Sequence, residues 1–115
     1  MREPEDLPVG IEQRGEAVVL SPSGDVDLSR SPALRESIRK AFLAKPRRLV
    51  VNLEAVEYMD SSGVATLVEA MQLARRADAR MVLCGLTGPV RSILEIARLD
   101  TVFRIVATTD EAMRV

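Results

Sequence analysis

The sequence predicts an α/β fold, a mixed β-sheet flanked by helices with the element order ββαβαβαβα. Three observations carry this. Short apolar runs of strand length alternate with stretches whose apolar residues recur at helical spacing. Proline and glycine stand at the joints between them. The 115 residues, 47% of them hydrophobic, are enough for one compact core and so for one domain.

The elements follow in order. Residues 1–8 hold two prolines and a high density of charge and are expected to be a loosely ordered lead-in, with the single domain over 9–115. Residues 9–13 and the run Ala17-Val18-Val19-Leu20 form a hairpin around Arg14-Gly15-Glu16, and Pro22, which cannot donate to a ladder, marks its end. A loop with Asp25 and Asp27 leads to Ser31-Pro32, read as N-cap and first helical position. Leu34, Ile38, Ala41 and Phe42 give the first helix one apolar stripe, and Lys45-Pro46 stops it. Leu49-Val50-Val51-Asn52-Leu53 is uninterrupted enough to be an interior strand covered on both faces. A second helix begins at about Ser61, with Val64, Leu67, Val68, Met71 and Ala74 on its packing face. Met81-Val82-Leu83-Cys84 is a strand, and Thr87-Gly88-Pro89 opens a helix carrying Val90, Ile93, Leu94 and Ala97 inward. Residues 102–106 are the last strand, and Thr108 with Glu111 forms a capping box for a terminal helix. Strand-helix alternation implies parallel neighbours joined by right-handed crossovers.

Composition excludes several functions. Lys and Arg number 16 against 17 Asp and Glu, a net charge of -1, so no overall field draws the chain to nucleic acid. Aromatics are 3% and Trp is absent, which removes the usual base-stacking platforms. With no histidine, the Ser-His-Asp and Cys-His nucleophiles and the mixed His/Cys zinc sites cannot be built. Neither the phosphate-binding loop Gly-x-x-x-x-Gly-Lys-Ser/Thr nor a Gly-x-Gly-x-x-Gly after a strand occurs, so no nucleotide, metal or other cofactor is implied and an enzyme is not expected. Asp25, Asp27 and Asp60 are the acids that an acid-base reading would use; exposed acids at turns are ordinarily just solvated. Cys84, the only cysteine, is read as a buried small hydrophobe. The N-terminal residues carry no signal-like apolar run and no stretch is long enough to insert in a membrane, so a cytoplasmic location is expected. Arg75, Arg76 and Arg80 are read as a solvated face, and Tyr58 and Phe103 as ordinary packing residues.

The unusual stretch is Asp60-Ser61-Ser62-Gly63, between an interior strand and a helix start, where function in α/β sheets concentrates. Two readings stay open on these residues alone. Asp and Ser are preferred N-caps, and one cap contributes ~1 kcal/mol with no further role. Yet one cap would suffice where three candidates stand, and Gly63 in the first turn costs ~1 kcal/mol relative to Ala, as if to admit the close approach of another chain.

Taken together, Ser23-Gly24-Asp25-Val26-Asp27, Leu49-Val50-Val51-Asn52-Leu53, Met59-Asp60-Ser61-Ser62-Gly63, Met81-Val82-Leu83-Cys84-Gly85 and Leu99-Asp100-Thr101-Val102-Phe103 resemble, in the same order, a STAS domain of the bacterial anti-sigma factor antagonists of sporulation and stress response. That resemblance implies a protein-binding switch in which an anti-sigma factor serine kinase phosphorylates the first serine, here Ser61, and a phosphatase reverses it. It also implies that Asp60, Ser62 and Gly63 shape the turn and bind the partner, that Asp27 extends the docking surface, and that ATP binds the kinase. The continuation Val64-Ala65-Thr66-Leu67 departs from the Leu plus small residue common in such antagonists. It is similar to STAS subunits of lipid-transport ABC permeases, which implies as the alternative a scaffold binding the transporter ATPase.

Overall fold

A computed structural model describes residues 6–115. The elements are β1 (Val9–Arg14), β2 (Ala17–Pro22), α1 (Ser31–Leu43), β3 (Arg48–Asn52), α2 (Ser61–Arg76), β4 (Arg80–Cys84), α3 (Gly88–Ile96), β5 (Arg104–Val106) and α4 (Thr109–Ala112), the expected order. The five strands lie side by side in sequence order. β1 and β2 are an antiparallel hairpin, and every later neighbour is parallel. Alternation divides the strands between two cores, as a period of two requires. Val18, Leu20, Leu49, Val51 and Leu83 meet Leu34, Ile38, Leu67, Ala70 and Leu94 of α1, α2 and α3. Val19, Val50, Val82 and Cys84 form a smaller cluster on the other face, closed by Ala112 of α4. β3 is therefore covered on both sides, as its unbroken apolar run predicts.

Several boundaries differ from the sequence reading. The lead-in expectation falls partly on residues 1–5, outside the described residues, but Leu7 is buried in the main core and the Pro8 carbonyl accepts from Ser23 N–H. Ser31 is not the N-cap of α1. It is buried inside the first turn, the cap position is Arg30 with no side-chain capping bond, and the donors there are satisfied from upstream by Asp27. β5 is shorter than 102–106, because the Val102 and Phe103 N–H groups turn back onto the Leu99 carbonyl. Ala97 caps α3 and is exposed rather than inward. At α4 Thr108 Oγ accepts from Glu111 N–H as a capping box requires, while Glu111 reaches back to Ala107 N–H instead of Thr108. Cys84 is fully buried with its sulfur 3.7 Å from the Thr109 hydroxyl, and burial pushes its thiol up from the ordinary value.

Candidate functional site

The C-terminal ends of β2 and β3 feed two loops, 23–30 and 53–60, and the backbone stitches them together. Val26 N–H donates to the Tyr58 carbonyl at 2.9 Å and Asp60 N–H to the Val26 carbonyl at 3.1 Å, a single parallel bridge beyond the strands. Gly24, at φ +99°, donates to the Ala55 carbonyl at 3.0 Å, a backbone conformation that glycine adopts without strain. The two loops therefore meet at one end of the sheet.

Asp60 holds the start of α2 from an extended backbone, as an N-cap should. Its Oδ1 accepts from Ser62 N–H at 2.9 Å, from the Ser62 hydroxyl and from Gly63 N–H at 3.3 Å. Its Oδ2 accepts from Leu28 N–H at 3.1 Å, which ties the first loop to the helix start. Both carboxylate oxygens are thus committed. Asp27 builds a second motif of the same design, its Oδ1 accepting from Ser29 N–H, the Ser29 hydroxyl and Arg30 N–H at 3.1, 2.8 and 3.1 Å. The Ser29 hydroxyl above all, opposed by desolvation and aided by the Arg30 and Ser29 N–H groups and the Arg30 charge, holds the Asp27 carboxyl below its ordinary value.

Gly63 requires a correction. It was expected on the partner surface, admitting another chain, but it is buried, and what approaches it is this chain's own bridge. A Cβ there would sit 2.5 Å from Met59 Cγ, 3.0 Å from Val26 Cγ1 and 3.1 Å from the Val26 carbonyl oxygen. Its role is to let the two loops lie against the first turn of α2.

What remains is Ser61. Ser62 is tied to Asp60 and its carbonyl accepts from the buried Thr66 hydroxyl at 2.9 Å, whereas Ser61 is exposed and its side chain makes no hydrogen bond among the described residues. The surplus of cap candidates is resolved: one caps, one braces the cap, and one hydroxyl points at solvent.

Two residues beside it escaped the sequence reading. Leu28, 75% exposed, and Tyr58, 50% exposed, are large apolar groups in the loops that frame Ser61; Tyr58 is therefore not the packing residue the sequence predicts, although Phe103 is buried as expected. The available signal was a leucine set between the polar residues Asp27 and Ser29. Asp25, Glu54 and Glu57 are exposed in the same loops and make this end of the sheet acidic. Asp25, Asp27 and Asp60 do not converge as an acid-base or metal centre: two of them are spent on backbone donors, and among the described residues no three His, Cys, Asp or Glu side chains gather as metal ligands. The chemistry this site can do is recognition, and modification of one hydroxyl.

A model of the STAS domain family matches residues 9–112. The chain belongs to the STAS domain family. Among curated relatives this STAS domain is similar to the anti-sigma-F factor antagonist RsfB of Mycobacterium tuberculosis, 28% identical over 114 residues that cover 98% of this chain and 92% of the relative. Among solved structures it is similar to an anti-sigma factor antagonist from Mycobacterium paratuberculosis, with a TM-score of 0.86 and 25% identity over 94% of this chain and 92% of that one. The phosphorylated form of the Bacillus cell fate determinant SpoIIAA shares the fold, at a TM-score of 0.71 and 24% identity over 93% and 97% of the two chains. Among the described residues no helix of the STAS domain is long and apolar enough to cross a membrane.

Proposed function

We propose that this STAS domain is a cytoplasmic anti-sigma factor antagonist. It binds an anti-sigma factor serine kinase through the face formed by Asp27, Leu28, Tyr58, Asp60, Ser61 and Ser62, is released when the kinase phosphorylates Ser61, and is restored by a phosphatase. The observation that carries this is the Ser61 hydroxyl, exposed and unengaged at a helix start where the neighbouring polar side chains, Asp60 and Ser62, are both committed. The relatives named as anti-sigma factor antagonists support the partner class.

The physics suits a switch without refolding. A phosphate adds roughly -1.5 to -2 charges and is tolerated at a helix N-terminus, gaining ~0.3–1 kcal/mol from the helix dipole. Docking is another matter. A dianion beside Asp60 on an already acidic face must be desolvated against the partner, and a penalty of ~3 kcal/mol weakens binding ~10²-fold.

Incubation with the anti-sigma factor kinase of the same organism and ATP should yield a single phosphoserine, at Ser61 by peptide mapping. Ser61→Glu should weaken the complex by ~10²-fold. Full phosphorylation of Ser61→Ala would overturn the site, and a complex indifferent to Ser61→Asp would point to the constitutive transporter scaffold instead.

A further inference from the structure

At the opposite end of the sheet, on the face covered by α4, the strands begin with arginines. Arg48 and Arg80 are register partners on β3 and β4, and register partners on neighbouring strands project to the same face. Arg14 joins the row across Ala17, paired to it within the hairpin while Ala17 pairs with Arg48. The single methyl of Ala17 leaves the row open there, and a cavity of about 400 Å³ results, lined by Arg14, Arg47, Arg48 and Arg80 against Glu16 and Asp78.

The counter-charges are unevenly shared. Arg14 pairs with Glu12, and Arg47 Nε lies 3.7 Å from Glu16. Arg48 Nη1 donates to the Ala112 carbonyl at 2.9 Å, which fixes its guanidinium without neutralising it. Among the described residues neither Arg48 nor Arg80 is in ion-pair contact with a carboxylate. Like charges placed directly opposite on adjacent strands oppose folding, and two guanidinium forks side by side match the oxygens of one oxyanion.

We propose that Arg48 and Arg80 form a binding site for a phosphoryl group with at least two free oxygens, with Arg14 and Arg47 at its margin. The ligand is an oligophosphate or a phosphomonoester. The site lies at the strand N-termini, away from Ser61 at their C-terminal ends, and stands independently of the proposed switch.

The test is titration of the intact protein with inorganic pyrophosphate, followed by calorimetry and by melting temperature. Saturable binding at one site is expected, with an upward shift in Tm and an affinity that falls as salt is raised to ~0.15 M. Arg48→Gln and Arg80→Gln should each weaken it by ~10-fold or more, while Ser61→Ala binds as wild type. Without ligand, Arg80→Gln should melt no lower than wild type, since it removes a like-charge neighbour; that reading separates lost binding from lost fold. Flotation with vesicles of phosphatidylcholine and phosphatidic acid distinguishes sources: capture dependent on both arginines assigns a lipid headgroup, and pyrophosphate binding without capture assigns a soluble ligand. No saturable binding by ~10 mM pyrophosphate, or binding unchanged by both substitutions, would overturn the proposal.

Discussion

In the loop 27–30 and in the turn 60–63, an aspartate Oδ1 gathers the same three donors: the N–H two residues on, the hydroxyl of that serine, and the N–H three residues on. The two motifs touch through Leu28 N–H and Asp60 Oδ2. They differ at two positions. The residue after the aspartate is Leu28 in one and Ser61 in the other, both exposed, so the pair presents an apolar group next to a hydroxyl. The fourth residue is Arg30 in one and Gly63 in the other, because only the second lies under the Val26–Met59 bridge. The common Asp-x-Ser pattern thus makes the turn, x decides what is offered, and the neighbouring loop decides what the fourth position tolerates.

Substitutions at corresponding positions break or sharpen this contrast. The largest effect is expected for Gly63→Ala: the added Cβ has no room against Val26 and Met59, and overpacking of ~1–3 kcal/mol should outweigh the helix propensity gained. A urea midpoint equal to wild type would mean that the bridge does not dictate the glycine. Next comes Asp60→Ala, which removes the α2 cap and also strands Leu28 N–H, and should cost ~0.5–2 kcal/mol by denaturation. Asp27→Ala should cost less, since Asp27 precedes α1 without occupying its cap position.

Leu28→Ala separates presentation from architecture. Its denaturation midpoint should match wild type, while affinity for the anti-sigma factor, measured by calorimetry, should fall ~10-fold as for a truncated apolar anchor. Unchanged affinity would confine the docking face to the Ser61 side.

The smallest effect is a pH dependence. The folded Asp27 carboxyl titrates below its unfolded value, so its contribution is complete above the ordinary carboxylate range of about 3.9 and is lost as pH falls through the lower folded value. The difference in urea midpoint between wild type and Asp27→Ala should therefore be present at ~pH 6 and shrink as the pH falls below the ordinary carboxylate value of about 3.9. A difference that persisted in acid would show that the Ser29 and Arg30 bonds do not depend on the charge.

Much of this was legible along the chain. The strand of residues 48–52, the stripe of α1 and the helix start at Ser61 all rest on interactions between residues a few positions apart, which leave a period or a cap in the sequence. The misreadings share a cause. Ser31 has the residue type of an N-cap, but the Ala33 and Leu34 N–H groups it would serve go to the Arg30 carbonyl, and Asp27 fixes the turn one residue earlier. Gly63 suggests room for a partner because nothing local says that Val26, 37 positions earlier, lies on it. Adjacency groups Arg80 with Arg75 and Arg76, whereas strand register sets it beside Arg48.

By itself the sequence determined the element order, the depth of the strands, and Asp60-Ser61-Ser62-Gly63 as the place to look, since hydrophobic period and capping chemistry are local. Only the tertiary structure decided which of those four residues is left free, that Leu28 and Tyr58 stand beside it, and that Arg48 and Arg80 share a row. Those facts depend on register and on the packing of loops distant in sequence, and a linear pattern carries no record of which distant backbone will satisfy a given donor.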